Sequence, residues 1–363
     1  MGRLKKEDNP YTLQFSYIPP QFIERRSYTS EIISCFTRKV PTYRALFISG
    51  VRGSGKTVML GDIRNRIGSM EEWIAIDINP ESNLMHSIAE KLYQIPELKA
   101  AFIKAKMDFS FAGIGVHVEN AELVANSDEN VVELMLSVLK RMGKKVFITI
   151  DEIFYSDNVS FFSHALSSYA GLNYDIYVLM TGLRENIDKI RNNPSLTFLY
   201  RARMNELDML NITAISADYR KTLGMSVAQA DRLAFETKGY SLAFQIIGYV
   251  YWNALSEYEN LDDADMDDIY NEIDSALADL SYDKIVHELS AGDIKVLKAM
   301  SSIIRTTGTG TIKVEDIRRE AGMTSETLST YRKRLIDGGI LDGSQYAHLR
   351  FRLPRLENYV EFR

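Results

Sequence analysis

Cysteine is almost absent: the 363-residue chain carries one, Cys35, so no disulfide can form within it. The residue lies in a helical-looking stretch, Tyr28 to Arg38, where a lone cysteine reads as a small core residue in a reducing compartment. Equally absent is any run of about 18 apolar residues, the length needed to span a bilayer. The charged segment Met1 to Asn9 is not followed by the apolar stretch of a secretory signal. These absences argue against a membrane partner and set the expectation of a cytoplasmic protein. No segment recurs with a period of roughly 20 to 50 residues, which sets aside solenoid and propeller folds, and no low-complexity linker is present.

Positive charge is also in deficit, with 43 Lys and Arg against 49 Asp and Glu and a net charge of −6. Indiscriminate binding to nucleic acid is therefore not expected of the chain as a whole. The deficit is uneven. From Glu288 to Arg363 there are 13 basic against 10 acidic residues, leaving 30 against 39 for the rest of the chain.

What is present is an ordinary globular mixture, 45% apolar and 25% charged, long enough for two or three domains. Short uninterrupted apolar runs at Ala45 to Ser49, Trp73 to Ile78, Val146 to Ile150 and Ile176 to Met180 alternate with helical spacing at Val58 to Ile67, Glu81 to Tyr93 and Val131 to Arg141. Such alternation predicts a parallel sheet with helices on both faces, closed by a last strand around Arg203 to Leu210. Alternating residues in Met107 to Val118 suggest an inserted hairpin. Beyond the sheet the patterns are helical: Ser226 to Thr237, Ser241 to Trp252 and Asp262 to Leu280. The expected divisions are an α/β domain over 1–212, a helical lid over 213–286 and a winged-helix domain over 287–363.

The chemistry begins at Gly50-Val51-Arg52-Gly53-Ser54-Gly55-Lys56-Thr57, a phosphate loop with a strand before it and a helix after it. Its glycines let backbone N–H groups converge on phosphate, and the helix presents its positive end to the same anion. The phosphate-binding set is Gly50, Arg52, Gly53, Ser54, Gly55, Lys56, Thr57 and Val58. Lys56 is expected to neutralise the β- and γ-phosphates, and the Thr57 hydroxyl to take a place around Mg²⁺, with ATP and ADP as the bound nucleotides. The strand Val146 to Ile150 delivers Asp151 and Glu152 to the sheet edge where open α/β folds bind ligands. Asp151 is the second Mg²⁺ candidate, directly or through water, and Glu152 the group that orients and deprotonates an attacking water. Thr181, ending the next strand, is a candidate contact to the γ-phosphate or that water, or a cap of the following helix, as is Arg184. Arg201 and Arg203 are either arginine fingers for a neighbouring subunit or surface ion pairs.

With these motifs the chain resembles the AAA+ and STAND branch of P-loop ATPases, above all those ordered nucleotide domain, helical lid, winged helix, as in replication initiators. The resemblance rests on Gly50 to Thr57, Val146 to Glu152, the strand ending at Thr181 and Lys238 to Trp252, and covers most of the chain. It implies adenine contacts from Phe22 to Arg25 in Pro20 to Ser27, where Glu24 takes the usual glycine position. It also marks two departures: Ser241 stands where STAND relatives carry proline, and no sensor arginine lies from Tyr240 to Trp252. Slow hydrolysis and switching fit that loss better than motor work.

The C-terminal patterns, Ser290 to Ile304, Val314 to Ala321 and Ser325 to Asp337 followed by turns and His348 to Leu353, read as a helix-turn-helix with a hairpin wing. Arg332, Lys333, Arg334, Arg350 and Arg352 are its candidate contacts to duplex DNA, beside the donors Ser325, Thr327, Ser329, Thr330 and Tyr331. Together the readings describe an ATP-binding switch with slow turnover and DNA as leading partner. The alternative is a STAND-like signalling or defence regulator whose winged helix docks protein, or a second copy of the chain.

Overall fold

The computed structural model describes residues 4–14, 18–105, 107–108, 123–124, 127–258 and 263–361. They divide into two compact units, one formed by Arg26–Ser49 and Lys56–Glu206, the other by Met1–Arg25, Gly50–Gly55 and Leu207–Arg363.

The first unit holds a parallel sheet of β1 (Ala45–Ser49), β2 (Trp73–Ile78), β5 (Lys145–Ile150), β6 (Ile176–Gly182) and β7 (Arg203–Glu206), in the order β2-β5-β6-β1-β7. Every residue of β1 and β6, and all of β5 after Lys145, is buried. That is why these strands read as unbroken apolar runs: helices cover both faces, so neither needs polar residues. β7 lies at the edge, is shorter than expected and ends in exposed Arg203 and Glu206, charges that discourage further pairing. Arg203 pairs with Glu31 at 3.4 Å. The helices Leu84–Gln94, Asp128–Arg141 and Asp157–Gly171 start where Asn83, Ser127 and Ser156 accept a backbone N–H in the first turn. The hairpin expected over Met107 to Val118 lies outside the described residues except for β3 (Met107–Asp108), which pairs in parallel with β4 (Leu123–Val124).

In the second unit the helices Ile212–Thr222, Val227–Glu236, Ser241–Glu257 and Asp263–Leu277 run into a π-helical turn, Ala278–Tyr282. The helix Ala291–Thr307, β8 (Ile312–Lys313), the helices Val314–Glu320 and Ser325–Asp337, then β9 (Leu341–Asp342) and β10 (His348–Phe351) follow. These last strands form an antiparallel sheet ordered β8-β10-β9. β9 and β10 pair as an antiparallel hairpin where a hairpin was expected, whereas β8, two residues long, has too few positions for a periodicity to register.

The N-terminal segment is tied to the long helix Ser241–Glu257 and its neighbours. Trp252 Nε1 donates to Lys5 O at 2.8 Å, Asn9 Nδ2 to Asn253 Oδ1 at 2.9 Å, and the Tyr11 hydroxyl to Asp218 Oδ1 at 2.7 Å. Burial pushes the Asp218 carboxyl above its ordinary value, opposed by the hydrogen bonds from Tyr11 and Gln21. The Tyr11 ring lies against Gly248, where an added Cβ would come within 2.5 Å of it. Gly248→Ala is accordingly expected to cost about 1 to 3 kcal/mol through overpacking, read as a lowered denaturant midpoint; an unchanged midpoint would mean that the segment does not hold this position in solution.

Candidate nucleotide site

Register brings the acidic pair to its place. Ile150 lies beside Met180 and Ile48 beside Thr181, so Asp151, the residue after β5, emerges next to Thr181 near the carboxyl ends of β5, β6 and β1. The loop after β1 leads into the helix Lys56–Gly68, whose second residue, Thr57, donates from Oγ1 to Asp151 Oδ2 at 2.5 Å. The Thr181 hydroxyl donates to Asp151 Oδ1 and accepts the Glu152 N–H at 3.3 Å. Thr57, Asp151, Thr181 and the Glu152 backbone thus form one connected group within the first unit. Lys56 is buried at the start of the same helix.

Glu152 has a φ of +54°, a left-handed conformation that costs a non-glycine residue about 1 kcal/mol. Its N–H is also 3.1 Å from Asp151 Oδ1, and Ile153 N–H donates to Thr181 O at 2.7 Å. The turn is therefore held on both sides while the Glu152 side chain stays exposed. Strain supported in this way is typical of functional positions. Thr181 lies inside β6 rather than capping a helix, and its hydroxyl is engaged as donor and acceptor at once. Arg184 begins the next helix, with Asp188 at 3.7 Å and Glu206 at 3.6 Å.

The glycines of the phosphate loop belong to the second unit, and there the loop is gripped through its carbonyls. The Tyr240 hydroxyl donates to Arg52 O at 2.6 Å, Leu242 N–H to Gly53 O at 3.0 Å, and the Ser241 hydroxyl to Ser54 O at 2.8 Å. Arg25 Nη2 reaches Ser54 O and Asp208 O at 3.0 Å and Ser241 Oγ at 3.1 Å. Arg25 therefore grips the backbone of the loop itself at Ser54 and that of Asp208, a role that the resemblance, which assigned Phe22 to Arg25 to adenine, did not anticipate. Arg52 pairs with Glu288 at 2.8 Å. Gly53 and Gly55 have φ of +71° and +91°, and a Cβ at Gly53 would run into the Tyr240 phenol. No sequence signal marked Tyr240 or Leu242, and Ser241 stood out only by differing from proline.

Among the described residues no group of three or more His, Cys, Asp or Glu is arranged to hold a metal. Mg²⁺ asks for less from protein, one or two hard oxygen ligands beside those of phosphate, and the Thr57 hydroxyl and Asp151 carboxylate, hydrogen-bonded to each other, are oxygen donors of that kind.

The C-terminal basic residues divide. Arg334 forks onto Asp293, itself 1% exposed, with Nε to Oδ1 at 3.0 Å, and Arg350 pairs with Asp342 at 2.6 Å. Lys333 and the donors Ser325, Thr327, Ser329 and Thr330 are exposed, while Arg332 and Arg352 are partly buried.

The fold is an α/β P-loop fold, a five-stranded parallel sheet with helices, with a helical lid. It is similar to the ORC2 protein of Aeropyrum pernix in its ADPNP-ADP complexes, with a TM-score of 0.61 and 12% identity over 96% of this chain and 95% of that one. The ADP form of the same protein gives a TM-score of 0.51 at 12% identity, covering 96% of each chain. At such identity what is shared is the fold. A family model described as a domain of unknown function (DUF8462) matches residues 281–360. No curated protein matches the sequence. No helix among the described residues is long and apolar enough to cross a membrane.

Proposed function

We propose that the protein binds ATP and hydrolyses it slowly, using nucleotide state to switch a C-terminal winged helix over 287–363. The observation that carries this reading is the connected Thr57–Asp151–Thr181–Glu152 group, whose Thr57 ends the phosphate-loop sequence Gly50 to Thr57. In it Lys56 would hold the β- and γ-phosphates, while Gly50, Arg52, Gly53, Ser54, Gly55 and Val58 would shape the cradle. Thr57 and Asp151 would hold Mg²⁺, which when bound supplies charge neutralisation at the phosphate oxygens. Glu152 would orient the attacking water and take its proton, and Thr181 would hold that carboxylate's backbone turn. The nucleotide-bound state of the fold-sharing ORC2 protein supports the same reading.

The winged helix would take duplex DNA through Lys333, Arg332, Arg352 and the exposed hydroxyls of Ser325–Asp337. A second reading, docking of protein as in STAND regulators, is favoured by one observation: Arg334 and Arg350 already answer Asp293 and Asp342, which shrinks the basic face. Steady-state Mg²⁺-ATP hydrolysis with and without duplex DNA, beside Lys56→Ala, tests both. We expect DNA to raise turnover, with the effect fading steeply as salt rises because phosphate contacts release counterions, and Lys56→Ala to lose nucleotide binding. Turnover indifferent to DNA would transfer the reading to a protein partner; a Lys56→Ala variant that still binds ATP would remove the nucleotide reading.

A further inference from the structure

The phosphate loop's contacts within its own unit have a direction. Three successive carbonyls, those of Arg52, Gly53 and Ser54, accept hydrogen bonds from Tyr240, Leu242 and Ser241, the residues at the start of the helix Ser241–Glu257. A trans peptide is planar, with its C=O and N–H pointing opposite ways. Fixing the carbonyls of Arg52 and Ser54 therefore turns the N–H groups of Gly53 and Gly55 away from that helix. N–H groups turned outward by a run of backbone are what an anion cradle requires.

The chemistry of the grip suits a permanent role. Burial holds the Tyr240 phenol far above its ordinary pKa, so it remains a neutral donor at any physiological pH. Its oxygen also meets Ser281 Oγ at 2.8 Å, which fixes its position from the other side. Gly53 is demanded by this contact as well as by its φ of +71°, since a Cβ would occupy the space of the phenol. The Ser241 hydroxyl is the one small donor at its position, held by Arg25 Nη2 at 3.1 Å.

We infer that Tyr240 and Ser241 are positioning residues for nucleotide: touching none of it, they set the affinity of the phosphate loop by orienting its N–H groups. The inference rests on the reading that this loop binds ATP. Equilibrium binding of Mg²⁺-ATP is to be measured for Tyr240→Phe, Ser241→Ala, Ser241→Thr and Lys56→Ala, well below each variant's melting temperature in the absence of nucleotide. Tyr240→Phe and Ser241→Ala should each weaken binding by roughly 3- to 10-fold, the loss of one oriented hydrogen bond, and Ser241→Thr, which keeps the hydroxyl, should bind within about 2-fold of the parent. Affinity unchanged in Tyr240→Phe and Ser241→Ala while Lys56→Ala loses binding would overturn the inference, even if their melting temperatures fall. A Thr variant as weak as the Ala variant would overturn the part assigned to Ser241. ATP binding retained by Lys56→Ala would instead overturn the nucleotide reading on which the inference stands.

Discussion

Glu152→Gln is expected to lower ATP turnover by about 100-fold or more, the usual contribution of a positioned general base, with ATP binding retained. Glutamine has the shape of glutamate and the same backbone needs. The left-handed turn at +54°, held by Asp151 Oδ1 and Thr181 Oγ1 on the residue's N–H, survives the change. The carboxylate's charge and its ability to accept a proton are lost. Because that turn is built from Thr57, Asp151 and Thr181, the variant separates charge from geometry more cleanly than an alanine would. Retention of full turnover by the glutamine variant, measured by phosphate release under saturating Mg²⁺-ATP, would remove Glu152 from the chemistry.

The second large effect is on stability. Asp293 is 1% exposed, and its carboxylate takes the Ser290 N–H at 3.0 Å, the Ser290 hydroxyl at 2.7 Å and the fork of Arg334. Arg334→Met keeps the stem's bulk and removes the charge, leaving a buried carboxylate with its cation gone. Losing one partner of a buried pair costs about 3 to 5 kcal/mol; since the Arg334 side chain is 50% exposed, about 2 to 3 kcal/mol is the better expectation. Urea unfolding should show it as a lower midpoint with unchanged slope. By contrast, Arg332→Ala with Lys333→Ala should move stability by no more than about 0.5 kcal/mol and flatten the salt dependence of any DNA binding. Should Arg334→Met prove as stable as the parent, the Asp293 pair is not formed in solution and Arg334 returns to the candidate DNA contacts.

What was legible in the sequence was whatever a short local pattern dictates. Phe47, Ile148 and Val178 sit in unbroken apolar runs because helices cover both sides of their strands, and that pattern admits few other structures. The strand-loop-helix turn at Gly50 to Thr57 was legible because its glycines and flanking apolar patterns lie at fixed spacing, and the place of Asp151 because a strand end is a place in the fold as well as in the sequence. What stayed hidden depends on partners far along the chain. Tyr240 lies 188 positions from Arg52, and nothing in a tyrosine before a helix announces which carbonyl it meets. Arg334 was grouped with Arg332 and Lys333 by adjacency, yet a helix turns about 100° per residue, and the third side chain, though half exposed, forks onto the buried Asp293. Tyr11 was invisible for the same reason: its pocket is the missing Cβ of Gly248.

The Tyr240 oxygen contacts Arg52 O on one side and Ser281 Oγ on the other, and Ser281 opens the stretch matched by the C-terminal family model. Under the proposed reading, a ligand that shifts this stretch would therefore act on the same phenol that orients the loop. Thermodynamic reciprocity makes such an effect two-way: a partner that tightens nucleotide by some factor is itself tightened by nucleotide by that factor. Titrating nucleotide alone and with partner present would give the coupling free energy without locating where the partner sits.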